Sequence, residues 1–162
     1  MTGQRGFSLI ELLVVIAIMG TLGAIASLQF GAMQQKAAVE RQVREVYTKL
    51  NEVRMEAFYT KTPRAVLLDV KDLKIYATDD VAVPPVSVIS YSYPMTMSST
   101  ANRVVYDSTG MMNLSDRSIC VEPGGAADNP GNIDSVIVAA SRIYMGKRQG
   151  GATCAPANID QK

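Results

Sequence analysis

Arg5-Gly6-Phe7-Ser8-Leu9-Ile10-Glu11-Leu12-Leu13-Val14-Val15-Ile16 is the stretch whose reading decides the fold. A cation and a glycine precede a long apolar run, and from Phe7 to Phe30 the only charged side chain is Glu11. A helix of roughly 24 residues reaches about 36 Å, against about 30 Å for a bilayer hydrocarbon core. A carboxylate placed centrally in such a helix costs about 2.5–3.5 kcal/mol, so it marks a site and needs a partner. Arg5 lies before the apolar run. A cut after Gly6 would supply another cation, because Phe7 would gain a free α-amine about one helical turn from Glu11. That amine belongs either to the same chain or to a neighbour in an assembly.

Gly6-Phe7-Ser8-Leu9-Ile10-Glu11 resembles the class III signal of type IV prepilins and type II secretion pseudopilins. The resemblance implies that a membrane-embedded prepilin peptidase cuts between Gly6 and Phe7 and methylates the new N-terminus on Phe7. It implies that Glu11 then pairs with the N-terminal amine of an adjacent subunit during filament assembly. The partners it implies are other pilin or pseudopilin subunits, the peptidase, the inner membrane and the assembly platform. The implied location is the bacterial inner membrane, single-pass with the head in the periplasm, and then a pilus or pseudopilus.

Physical chemistry agrees with these roles. Methylation keeps the charge of an amine. An ion pair in a low-dielectric bundle is favourable only if both partners arrive together, so an unpaired Glu11 disfavours the lone subunit and rewards correct axial register. One rival is an ordinary signal anchor that carries an acid. Another is a secretory signal peptide, with a shorter apolar core and a small-x-small cut site after it. Ala24-Ile25-Ala26 mimics such a site, but a helical pattern continues from Phe30 to Phe58. Cleavage before the apolar run, with the run retained, is the preferred reading.

The fold class that follows is α+β, a long N-terminal helix packed on a β-rich C-terminal head. Residues 1–6 form the leader, 7–30 the transmembrane and assembly helix, 31–62 an amphipathic continuation and 63–162 the head. Beyond Gly31, Val39, Val43, Val46, Leu50, Val53 and Ala57 step by four and three along one helical stripe. Arg41, Glu45, Lys49, Glu52 and Glu56 lie largely off it, with Glu45 and Lys49 at the favourable i,i+4 spacing. Many pilins carry a proline near position 28. Here Leu28 stands there and no proline occurs before Pro63, so an unmelted helix from about Ser8 to Tyr59 is predicted, with Gly20, Gly23 and Gly31 as weak points. Gly20 and Gly23 are also spaced for close helix contact.

Thr62-Pro63 ends the helix. Strand patterns follow at 65–70, 73–78, 86–93, 103–107, 117–121 and 135–140, and residues 142–145 either continue the last strand or form a seventh. The tail from Gly146 reads as loose unless Cys154 pins it. A helix followed only by strands is most similar to the H-type minor pseudopilins and related minor pilins, whose head holds two small sheets. Val104 to Gly110 and Ser135-Val136-Ile137-Val138 followed by Arg142 carry that likeness, with Ser141 where the family often has glycine.

Composition narrows the chemistry. The chain has 162 residues, net charge +1, and neither histidine nor tryptophan. Bulk charge therefore does not argue for nucleic acid, and the commonest general base and metal ligand are missing. Serines stand without a base, so no catalytic residue, metal site or cofactor is assigned and the chain reads as a non-enzyme. Asp79-Asp80 reads as a solvated turn. Asp128 and Asp134 offer too few oxygens for calcium, and Asn113-Leu114-Ser115 is a short sequon. In the extracytoplasmic setting that the resemblance implies, Cys120 and Cys154 most simply pair, the alternative being two free thiols. Arg142, Lys147 and Arg148 form a small basic cluster near the C-terminus. Certain minor pilins bind DNA through that region, so DNA capture is the alternative function, although three cations would bind only weakly and salt-sensitively.

Overall fold

The computed structural model describes residues 8–112 and 115–162, and the side chains of 25–29 are outside the description. Gly6, Phe7 and the first two residues of the Asn113-Leu114-Ser115 sequon therefore lie outside the described residues. The chain divides into two compact units between Gln35 and Lys36, within helix α1 (Leu9–Thr60). The helix is unbroken at Gly20, Gly23 and Gly31, none of which has a neighbouring atom where a Cβ would stand.

In the first unit, Leu9, Ile10, Leu12, Leu13, Ile16, Ile18, Met19 and Leu22 are exposed, Leu9 by 82%. The hydroxyl of Thr21 donates to the carbonyl of Ile18 at 2.8 Å, so this polar atom is satisfied within its own helix.

The second unit is built around the predicted stripe. Val39, Val43, Val46, Leu50, Val53 and Ala57 are all buried, and a single cluster joins them to both sheets. The first sheet has the order β3-β2-β1-β5, from β1 (Arg64–Asp69), β2 (Asp72–Tyr76), β3 (Ser87–Ser90) and β5 (Arg103–Tyr106), all antiparallel. It contributes Val66, Leu68, Leu73, Ile75, Val104 and Tyr106 to the core. The second sheet has the order β4-β6-β7-β8-β9, from β4 (Met95–Met97), β6 (Arg117–Val121), β7 (Ser135–Val138), β8 (Ile143–Arg148) and β9 (Ile159–Gln161). Its Met95, Ile119, Val121, Val136 and Val138 face the same core.

The described residues thus form nine strands, not seven. Residues 142–145 do not prolong β7. The chain turns back after Val138, and β8 pairs antiparallel with it from Val138↔Ile143 to Ser135↔Gly146. Nor is the tail loose, since β9 pairs with β8 at Gly146↔Gln161 through Arg148↔Ile159. The cause lies in the pleat. Alternate residues of β6 and β7 face opposite ways, so Cys120 and Ile137 point away from the helix and need a second cover. Ile159, Tyr144 and Cys154 supply it as a small separate cluster. Gly146 is where the tail crosses closest, because a Cβ there would stand 2.5 Å from Ile159 Cγ2.

The hairpin between β1 and β2 turns through Val70 and Lys71, and Val70 has φ +50°. A β-branched residue in the left-handed region is strained there. On the helix surface Lys49 pairs with Glu52 at 2.6 Å rather than with Glu45.

Candidate functional site

Ser8 stands just before α1, and its carbonyl accepts the amides of Glu11 at 3.0 Å and Leu12 at 3.2 Å. Glu11 is thereby held in the first helical turn, where the unsatisfied N–H groups favour a negative charge. Its side chain is exposed among exposed apolar neighbours and has no ion-pair partner among the described residues. Ser8 and Glu11 have the spacing of a helix-capping pair, a signal the apolar run had masked. Among the described residues no helix is long and apolar enough to cross a membrane.

The second unit presents a different kind of polar chemistry, directed inward. Gln42 is 4% exposed and falls on the apolar stripe three residues after Val39. Its amide donates to the Tyr93 carbonyl at 2.8 Å and accepts the Tyr93 N–H at 3.0 Å, pairing with the chain as a strand would. Arg54 donates to the carbonyls of Gly110 at 2.9 Å and Ser141 at 2.5 Å. Glu40 accepts the Asn132 N–H at 2.9 Å. These three side chains fasten the helix to the loops around it. The stripe reading passed over them. A polar residue at i+3 within an i, i+4, i+7 apolar pattern was the available signal for Gln42.

The three C-terminal cations do not form an open patch, which corrects the basic cluster read from sequence proximity. Arg148 is 2% exposed, pairs with Glu122 at 2.7 Å and donates to the Ala127 carbonyl. Lys147 pairs at 2.8 Å with Asp134, which is fully buried. Asp134 also accepts from Ser135, Asn129 and the Arg148 N–H, so its oxygens are occupied by the protein rather than offered to calcium. Arg142 lies 5.2 Å from the ring centre of Tyr144, on the turn between β7 and β8. No group of metal-ligating side chains occurs among the described residues. Cys120 and Cys154 are joined in a disulfide across a separation of 34 residues, tying β6 to the tail. Asp79 and Asp80 are exposed, with Asp80 accepting the Ala82 N–H.

Residues 1–27 match the prokaryotic N-terminal methylation motif. A search of curated protein sequences finds no significant match. Among solved structures the chain is similar to the type IV minor pilin FimU of Pseudomonas aeruginosa in two crystal forms. One gives a TM-score of 0.54 at 15% identity over 72% of this chain and 97% of FimU. The other gives 0.52 at 15% identity over 76% and 93%. The chain therefore joins the N-terminal methylation motif of prepilin-type proteins to the α+β fold of a type IV minor pilin.

Proposed function

We propose that this chain is a minor pilin, inserted in the bacterial inner membrane, cut after Gly6 by a prepilin peptidase, methylated on Phe7 and assembled through its N-terminal helix. One observation carries the reading. Glu11 is exposed in the first turn of a helix whose apolar side chains are themselves exposed from Leu9 to Leu22. Such a surface needs lipid or other helices around it, and within that surrounding the carboxylate needs a cation. The α-amine of Phe7 in a neighbouring subunit supplies one. The bare faces at Gly20, Gly23 and Gly31 leave room for close helix approach.

Of the two machines that use this signal, the likeness to a type IV minor pilin favours the pilus over the secretion pseudopilus. DNA capture through Arg142, Lys147 and Arg148 has no observation in its favour, because two of these cations are engaged with carboxylates of the same chain.

The test is the intact mass and N-terminal residue of the protein isolated from its native membrane. The expected result is an N-methylated Phe7. A start near Ser27, or an uncut Met1, would refute the proposal.

A further inference from the structure

Arg117 opens β6 and shares the strand face of Ile119 and Val121, which lie in the core. It is 8% exposed. A guanidinium withdrawn from water calls for a counter-charge, and a charge left alone there is costly. The chain supplies none. All 15 acidic residues lie among the described residues, and none forms an ion pair with Arg117. The other buried arginine, Arg148, shows the contrast, since Glu122 meets it at 2.7 Å.

The charge that Arg117 does feel has its own sign. Arg103, at the start of β5, is half-buried and has no ion pair among the described residues either. Burial first, and then the charge of Arg103, hold the Arg117 guanidinium below its ordinary range. Nη1 of Arg117 donates to the backbone carbonyl of Arg103. β5 is the outer strand of the first sheet and β6 belongs to the second, so the two arginines stand at the seam between the sheets. Nε of Arg117 is sealed from solvent and has no partner. Nη2 has no partner among the described residues either, but it is not sealed, so a small ion reaches it without passing Nε. A fork of donors without an acceptor, beside a second guanidinium, suits an oxyanion.

We propose that Arg117 and Arg103 hold a small oxyanion at this seam, a phosphate or a carboxylate, taken by Nη2 of Arg117 and the guanidinium of Arg103. The ion supplies the counter-charge that the chain lacks and couples the two sheets. The site does not draw on the assembly reading given above and stands or falls independently of processing at Gly6.

The test follows thermal unfolding of the full chain in detergent by near-ultraviolet circular dichroism at pH 7. Sodium chloride, sodium phosphate and sodium acetate are compared at equal ionic strength. Phosphate or acetate should raise Tm above the chloride value along a saturating curve, by roughly 5–10 °C at one hundred times Kd. The readout is this rise, not Tm itself, because a clamp without an ion would shift Tm equally in every salt. R117M should lose the rise. R103Q keeps the backbone carbonyl at position 103, and with it the bond from Arg117, so it tests the site without disturbing the seam. It should shift the curve to about tenfold higher concentration. A saturating rise with acetate alone identifies a carboxylate and with phosphate alone a phosphate, and each supports the proposal. No rise in either salt, or a rise that is the same in wild type and R103Q, would overturn it.

Discussion

Replacing Gln42 tests how the helix is fastened to the head. Gln42→Leu keeps the size and the buried stripe but removes both hydrogen bonds to Tyr93, at 2.8 and 3.0 Å. Each loss leaves a partly buried backbone group unpaired, at about 1–2 kcal/mol apiece. Added apolar burial by leucine offsets about 1 kcal/mol. The net loss is about 1–3 kcal/mol, and for a chain of this size that lowers Tm by roughly 3–10 °C. Gln42→Glu adds a sign to the test. A carboxylate there accepts the Tyr93 N–H but cannot donate to the Tyr93 carbonyl, whereas the protonated acid does both. The folded state therefore raises the pKa of this glutamate above its unfolded value of about 4.3. Its stabilising share is present below that value and is lost as pH rises through the folded pKa. Near-ultraviolet circular dichroism of the tyrosines reports the head during thermal unfolding of the full chain in detergent. The Q42E variant should be clearly less stable than wild type at pH 7, and the gap should narrow in acid. A leucine variant melting within a degree of wild type, or a glutamate gap that widens in acid, would refute the reasoning.

Cys154→Ser opens a disulfide spanning 34 residues, and loop entropy alone makes this a loss of about 4 kcal/mol. Limited proteolysis should then cut the tail after Gly150 before any other part of the head, and a tail still protected would contradict its pinning. Burial raises the phenols of Tyr91, to about 12, and of Tyr106 further. Each favours the folded state below the unfolded value of about 10, and that stability is lost as pH climbs through the folded value. Absorbance titration near 295 nm should show two tyrosines lagging the rest, and a single transition near pH 10 without unfolding would count against their burial. Val70→Asn relieves a side chain disfavoured at φ +50° and should stabilise by about 1 kcal/mol, read as a higher denaturant midpoint. An unchanged or lower midpoint would remove the strain argument.

The helical part was legible because its signals are local. The apolar run, Glu11 and the stripe from Val39 to Ala57 each follow from a period of 3.6 residues, and no distant residue is needed to recognise them. The first hairpin was legible for the same reason, with Lys71-Asp72 separating two apolar runs. The disulfide that the tail's order depended on is present, but its strand β9 was not legible because its partner is remote. Gly, Ala and Pro near the C-terminus carry no strand pattern. What makes β9 a strand is the open edge of β8 and the outward faces of Cys120 and Ile137. The basic cluster failed similarly. Lys147 and Arg148 are adjacent in sequence, but their carboxylate partners Asp134 and Glu122 lie 13 and 26 positions away.

The sequence by itself determined that the chain begins with a prepilin-type motif, continues as one long helix and ends in a β-rich head. Periodicity and a single acid in an apolar run are properties of neighbouring residues, so they survive without coordinates. Only the tertiary structure decided which polar side chains are engaged and which are left open. It turned Gln42 and Arg54 into fastenings and Lys147 and Arg148 into internal ion pairs. It also left Arg117 buried beside Arg103 with no carboxylate to pair with it. The physical reason is that a polar group's role depends on the partner that folding brings within hydrogen-bond distance, and chain order does not encode that distance.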